Sequence, residues 1–126
     1  MSDGFEDLRR LAVDLSTAPE RALGAIDRVV EKGALNIKND WRERVGGSEH
    51  FKHLQYALNY DRVRTVDSVG AEIGYDKART QGPLGNIREF GTADVAGHLD
   101  GQQALDAEEP KFLAALADAA EQSVLP

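Results

Sequence analysis

The residues best placed by type and spacing to hold an ion are His50 and His53. Two imidazoles three positions apart can share one metal when the backbone between them is helical. Zinc needs at least a third ligand, however, and spacing assigns neither His98 nor any one carboxylate to that role. The pair is read as solvated loop histidines, and neither a metal nor another cofactor is expected. General acid and base chemistry needs a carboxylate in a dry or charge-paired pocket, which an abundance of acids does not supply; Glu108 and Glu109 are read as solvated. Ser48, Ser68 and Ser123 sit in no nucleophile elbow, and no Ser, His and Asp fall into the pattern of a triad. The absence of cysteine excludes thiolate nucleophiles, disulfides and cysteine zinc sites. The glycine-bearing stretch from Gly82 to Gly91 lacks both the lysine of a phosphate loop and the spacing of a dinucleotide site, so turn chemistry accounts for it. No catalytic centre is expected. A small intracellular enzyme or binding module, the reading from a different class, would need a pocket with convergent polar groups and a perturbed titratable residue.

Charge directs attention to surfaces instead. Arg42, Arg44, Arg62, Arg64 and Arg79 could gather at one end of a domain. No aromatics are interleaved for base stacking, which favours salt bridges to a partner's acidic surface over contact with nucleic acid. Arg62, Arg64 and Arg79 are accordingly candidate subunit contacts. The net charge of −7 lies in the C-terminal third, because residues 89–126 hold eight acids and one lysine. This balance excludes a general electrostatic footprint on nucleic acid, which needs clustered Lys and Arg to displace phosphate counterions. It suits the wall of a passage to which DNA must not adhere.

The elements that must position these groups follow from periodicity. One domain over residues 1–126 is expected, since a chain of this length buries roughly two-thirds of its unfolded surface around one core. Apolar and charged contents of 41% and 29% are globular proportions. No run is apolar enough to span a membrane, and acids among residues 1–7 stand where a leader would carry Lys or Arg, so the protein is expected to be made and kept in cytoplasm. Phe5, Leu8, Leu11, Ala12 and Leu15 predict a short helix over residues 5–15. Thr17-Ala18-Pro19-Glu20 has the form of a capping box opening a long helix over 18–45, with Leu23, Ile26, Val29, Val30, Ala34, Ile37, Trp41 and Val45 on one side and Gly46-Gly47 ending it. At about 40 Å that helix exceeds what the core of such a domain needs, so part of it is expected against another subunit. Leu35, on its polar side, is either such a contact or a single exposed leucine. Residues 46–56 read as a loop or a frayed turn before the sheet. Residues 57–63 and 68–75 alternate as the strands of a hairpin, most cleanly at Val69, Ala71, Ile73 and Tyr75. Gly82 to Asn86 reads as a turn, and residues 87–90 as a third short strand or a helical turn, within a sheet region over 57–90. A C-terminal helix over about 102–123 starts either at Asp100-Gly101 or at Asp106-Ala107-Glu108-Glu109 before Pro110. The fold class is α+β: a short N-terminal helix, a long amphipathic helix, a small antiparallel sheet and a C-terminal helix.

The run from Gly82 to Thr92, in particular Gly85, Asn86, Ile87, Glu89, Phe90, Gly91 and Thr92, resembles the tail-component family of long-tailed bacteriophages, the head-tail joining or tail-completion proteins of the neck. Glu-Phe-Gly-Thr is its most specific element, and the order of elements is similar over essentially the whole chain. The resemblance implies a structural virion protein, made in host cytoplasm, that forms a six-fold homo-oligomeric ring at the head-tail junction. It further implies a connector or stopper protein and a tail terminator or tail tube protein as neighbours, no membrane, and genomic DNA only as passing cargo. A tail terminator or another connector layer is the alternative within the same virion. In that picture Asp100, Asp106, Glu108 and Glu109 face the channel or a basic neighbouring ring. Phe90 anchors a core, Gly91 takes a positive φ, and Glu89 either pairs with an arginine of the same or an adjacent subunit or is solvated.

Overall fold

The computed structural model describes residues 8–48, 52–76 and 82–124. Strand β1 (Leu8–Asp14) is followed by a turn of 3-10 helix (Glu20–Ala22) that runs into helix α1 (Leu23–Gly46). A second 3-10 segment (Lys52–Ala57) leads to β2 (Leu58–Arg64) and β3 (Ser68–Tyr75), and then come α2 (Gly82–Phe90) and α3 (Asp100–Val124). The fold is α+β, with β3 at the centre of a three-stranded antiparallel sheet ordered β1-β3-β2.

Register explains why β3 is central. Val69, Ala71 and Ile73 stand opposite Val13, Leu11 and Arg9 on one side and Arg64, Arg62 and Tyr60 on the other. Residues opposite one another share a face of the sheet, so one face collects the apolar residues of β3 with Leu11, Val13 and Leu58. That face lies on α1. The other carries Arg10 paired with Glu72, and the exposed Ala12, Asp61 and Val63. Helix α3 packs antiparallel along α1, with Arg44 donating to Gln103 near one end and Asn36 donating to Glu108 further along. Between these layers Ile26, Val30, Ala34, Ile37, Trp41 and Val45 are all buried, and Leu54, Ala104 and Phe112 join the same cluster. Each large apolar side chain so covered contributes roughly 1.5–3 kcal/mol relative to exposure.

Several expectations are corrected by this arrangement. Residues 8–14 are a strand, not part of a helix over 5–15; residues 5–7 lie outside the described residues. The third strand of the sheet is therefore this one. Residues 87–90 take the helical of their two expected forms as the end of α2, which also takes up the expected turn from Gly82 to Asn86. The capping box at Thr17–Glu20 is not formed: the 3-10 turn has Pro19 as its cap residue and no side-chain hydrogen bond there. Part of the expected loop over 46–56 is the 3-10 segment from Lys52, and residues 49–51 lie outside the described residues. Helix α3 takes the earlier of its two possible starts and runs through Pro110, which is exposed, so that water can serve the carbonyl left without a donor. The apolar side of α1 is covered within the chain from Ile26 to Val45, and Leu35 is half-buried, so the length of α1 does not itself call for a second subunit.

Candidate functional site

The Glu-Phe-Gly-Thr segment forms the corner between α2 and α3. Glu89, at the end of α2, is fully buried, and both carboxylate oxygens are engaged. Nε and Nη2 of Arg9 on β1 donate to Oε2 at 3.1 and 2.9 Å. The N–H of Gly101 donates to Oε1 at 2.7 Å and that of Gln102 to Oε2 at 3.0 Å. These two amides belong to the first turn of α3, whose N–H groups have no partner within the helix and carry the positive end of its dipole. Glu89 thus caps α3 from 12 positions upstream while Arg9 compensates its charge. The Arg9 guanidinium also lies 4.5 Å from the centroid of the Phe90 ring, where the ring's negative face attracts it.

Neighbouring residues close the corner. Arg88 Nε donates to Asp100 Oδ2 at 2.7 Å, and both side chains are about nine-tenths buried, at 9% and 10% exposure. Gly91 ends α2 with φ of +80°, and its N–H donates to the Ile87 carbonyl at 2.7 Å, as expected of a glycine that takes the left-handed position after a helix. Thr92 Oγ1 accepts from the N–H groups of Asp94 and Val95. The chain then folds back, with the His98 and Leu99 amides donating to the Arg88 and Glu89 carbonyls. Below the corner, Tyr75 and Trp41 meet edge to face with centroids 5.4 Å apart. Gly85 lies against the Tyr75 ring so closely that a Cβ there would come within 2.5 Å of it. Burial pushes the Tyr75 phenol well above its ordinary value, and its O–H finds no acceptor among the described residues.

Chemically this corner is a clasp. Its buried carboxylates face arginines and amides, and Glu89 offers no exposed oxygen to a substrate. Among the described residues no group of three or more His, Cys, Asp and Glu could hold a metal. His53 is exposed, and His50 lies outside the described residues. The clasp brings together Gly85, Glu89, Phe90, Gly91 and Thr92. Asn86 is half-buried, its Oδ1 without a partner among the described residues, and Ile87 is turned outward.

The other expected site residues are dispersed. Arg62 reaches from the sheet to α1, where Nη2 is 2.5 Å from Asp27 Oδ1 and Nη1 is 3.5 Å from Glu31; Arg64 stands 3.9 Å from the same Asp27. Arg42 donates to the Leu58 carbonyl and Arg44 pairs with Asp40, so these arginines serve their own chain and do not gather as a free patch; Arg79 lies outside the described residues. Of the four acids expected to line a channel, Asp100 and Glu108 are turned inward, the latter onto Asn36, because α3 packs that side against α1 and the clasp. Asp106 and Glu109 are exposed. The sequence reading missed Arg9 and Arg88 as the arginines of the clasp, and it missed a groove of about 320 Å³ between α1 and α3. Its α1 wall is Ala25 and Val29, the latter already part of the apolar stripe, facing Phe112, Ala115 and Ala119 of α3.

No protein family, curated protein or solved structure matches the chain.

Proposed function

We propose that this chain is a structural protein of the neck of a long-tailed bacteriophage, whose copies form a ring that completes the tail at the head-tail junction and lets the genome pass through its lumen. The observation that carries this reading is the use made of Gly85 to Thr92, the segment on which the family resemblance rests: Glu89 ties α2 to β1 and α3, Phe90 lies under Arg9 of β1, and Gly91 ends α2. With its most specific residues committed to scaffolding, the protein acts through its outer surfaces. Two features of those surfaces support the reading. Asp106, Glu109, Asp118 and Glu121 are exposed along α3, and acids presented to DNA repel phosphate and favour sliding over adhesion. Exposed apolar side chains occur on α2 and in the loop after it, as a protein that works by contact with neighbours requires.

The test is particle assembly without this chain. Full heads and finished tails should accumulate unjoined, and sedimentation of the purified protein should reveal a ring or a concentration-dependent equilibrium leading to one. Joined, infectious particles formed without the chain would reject the proposal. Tails of irregular length would move the protein to the tail terminator layer.

A further inference from the structure

Asn86 has no role in the clasp, yet its Oδ1 is shut off from solvent. Trp41 Nε1 and Tyr75 Oη share that condition, and among the described residues none of the three atoms has a hydrogen-bond partner. Trp41 and Tyr75 are 0% and 3% exposed, so bulk solvent does not reach them. Buried polar atoms are rarely left unmatched, because each gave up bonds to water when the chain folded. The Trp41 and Tyr75 rings meet edge to face with centroids 5.4 Å apart. Burial raises the Tyr75 phenol, and the side chain that most opposes the rise is Trp41, so the indole N–H lies at the hydroxyl; yet the two form no hydrogen bond. Asn86 follows Gly85, whose backbone lies against the Tyr75 ring. Neither ring can slide to close a direct bond, because Gly85 abuts Tyr75 and Gly101 abuts the indole: a Cβ at either glycine would come within 2.7 Å of ring atoms.

We infer that one water molecule is bound where α1, β3 and α2 meet, accepting from Trp41 Nε1, donating to Asn86 Oδ1 and bonding the Tyr75 hydroxyl. The chemistry of the three atoms selects the ligand. Trp41 Nε1 only donates, Asn86 Oδ1 only accepts and the phenol does either, so the ligand must be donor and acceptor at once. A cation would be opposed by the indole N–H and an anion by the amide oxygen. Water is neutral, fits a buried site, and commonly makes about three hydrogen bonds there. The site also gives Asn86 a use within the Gly85 to Thr92 segment. Through the water it ties α2 to α1 and β3, as Glu89 ties α2 to β1 and α3. The inference is independent of the neck-ring reading.

A high-resolution crystal structure of the whole chain tests the site directly. Density for one ordered water should lie about 2.7–3.2 Å from Trp41 Nε1, Tyr75 Oη and Asn86 Oδ1. Direct pairing of any two of these atoms, or no density among them, would overturn the inference. In solution the indole N–H of Trp41, the only tryptophan, should show a nuclear Overhauser effect to water with the sign of a slowly leaving molecule. Tyr75→Phe keeps the ring and removes the hydroxyl proton that could relay this signal, so the effect should persist. Its loss would assign the signal to the hydroxyl and overturn the water. Asn86→Leu, at a half-buried position, should fold as the parent does and lose the effect. An unchanged effect in that variant would overturn the three-way bridge.

Discussion

Replacing Glu89 by glutamine preserves the shape of the side chain and removes the charge on which the clasp depends. Oε2 of the carboxylate takes donors from Arg9 and the Gln102 amide, and Oε1 from the Gly101 amide. A carboxamide has one acceptor oxygen, so its NH₂ must point either at the Gly101 amide or at Arg9 and the Gln102 amide together, donor against donor. At 0% exposure no water can relieve the conflict. Removing one partner of a buried ion pair costs roughly 3–5 kcal/mol. Loss of a helix cap alone costs about 1 kcal/mol, and the two do not add because one carboxylate serves both. A loss of about 4 kcal/mol at about 4 °C per kcal/mol lowers Tm by about 16 °C. Arg9→Met should cost less, because the carboxylate keeps its α3 amides, and Arg9→Met combined with Glu89→Gln should fall short of additivity by about 1–3 kcal/mol. Thermal and urea unfolding followed by the fluorescence of Trp41, the only tryptophan, reads all three variants. The reasoning is refuted by a Glu89→Gln melt within about 2 °C of the parent, the range of an ordinary surface substitution of about 0.5 kcal/mol, or by an additive cycle.

Gly91→Ala should lower stability by about 1–2 kcal/mol for the left-handed backbone alone, and by more because its Cβ meets the Val95 carbonyl, visible as a lower urea midpoint at unchanged slope. Gly85→Ala should cost about 1–3 kcal/mol by overpacking against Tyr75 and should alter the near-ultraviolet circular dichroism of the Tyr75–Trp41 pair; an unchanged spectrum would refute the close approach. The Tyr75 phenol has a raised folded value against an unfolded value near 10, so its contribution to stability is complete below about pH 10 and is lost as pH rises beyond it. Tyrosinate absorbance should accordingly show Tyr75 ionising only with alkaline unfolding, and a reversible titration of all three tyrosines near pH 10 in the folded protein would refute its burial.

Much of the fold was legible from local pattern. Alternation placed β3 at its observed bounds and marked Val69, Ala71, Ile73 and Tyr75 as one face, because a strand with one buried face must alternate. The stripe from Ile26 to Val45 marked α1, and Asp100-Gly101 was one of the two starts open for α3, the one the helix takes. Two elements were misread, each because a distant partner outweighed the local pattern. Leu8, Leu11, Ala12 and Leu15 have helical spacing, yet Arg9, Leu11 and Val13 also alternate, and the edge of β3 decides for the strand by offering seven residues of antiparallel pairing. Gly82-Pro83-Leu84-Gly85 has the composition of a turn, but Gly85 lets α2 lie on the Tyr75 ring, and that packing offsets the low helix propensity of glycine.

Composition, charge balance, the absence of cysteine and the periodic elements were determined by the sequence alone, because each depends on residue type or on neighbours a few positions away. The clasp was decided only by tertiary structure. Arg9 and Glu89 are 80 positions apart, and nothing local distinguishes Arg9 from Arg10, whose partner is Glu72 on the opposite face of the sheet. Which arginine turns inward depends on the register of β1 against β3, and a shift of one residue would exchange them.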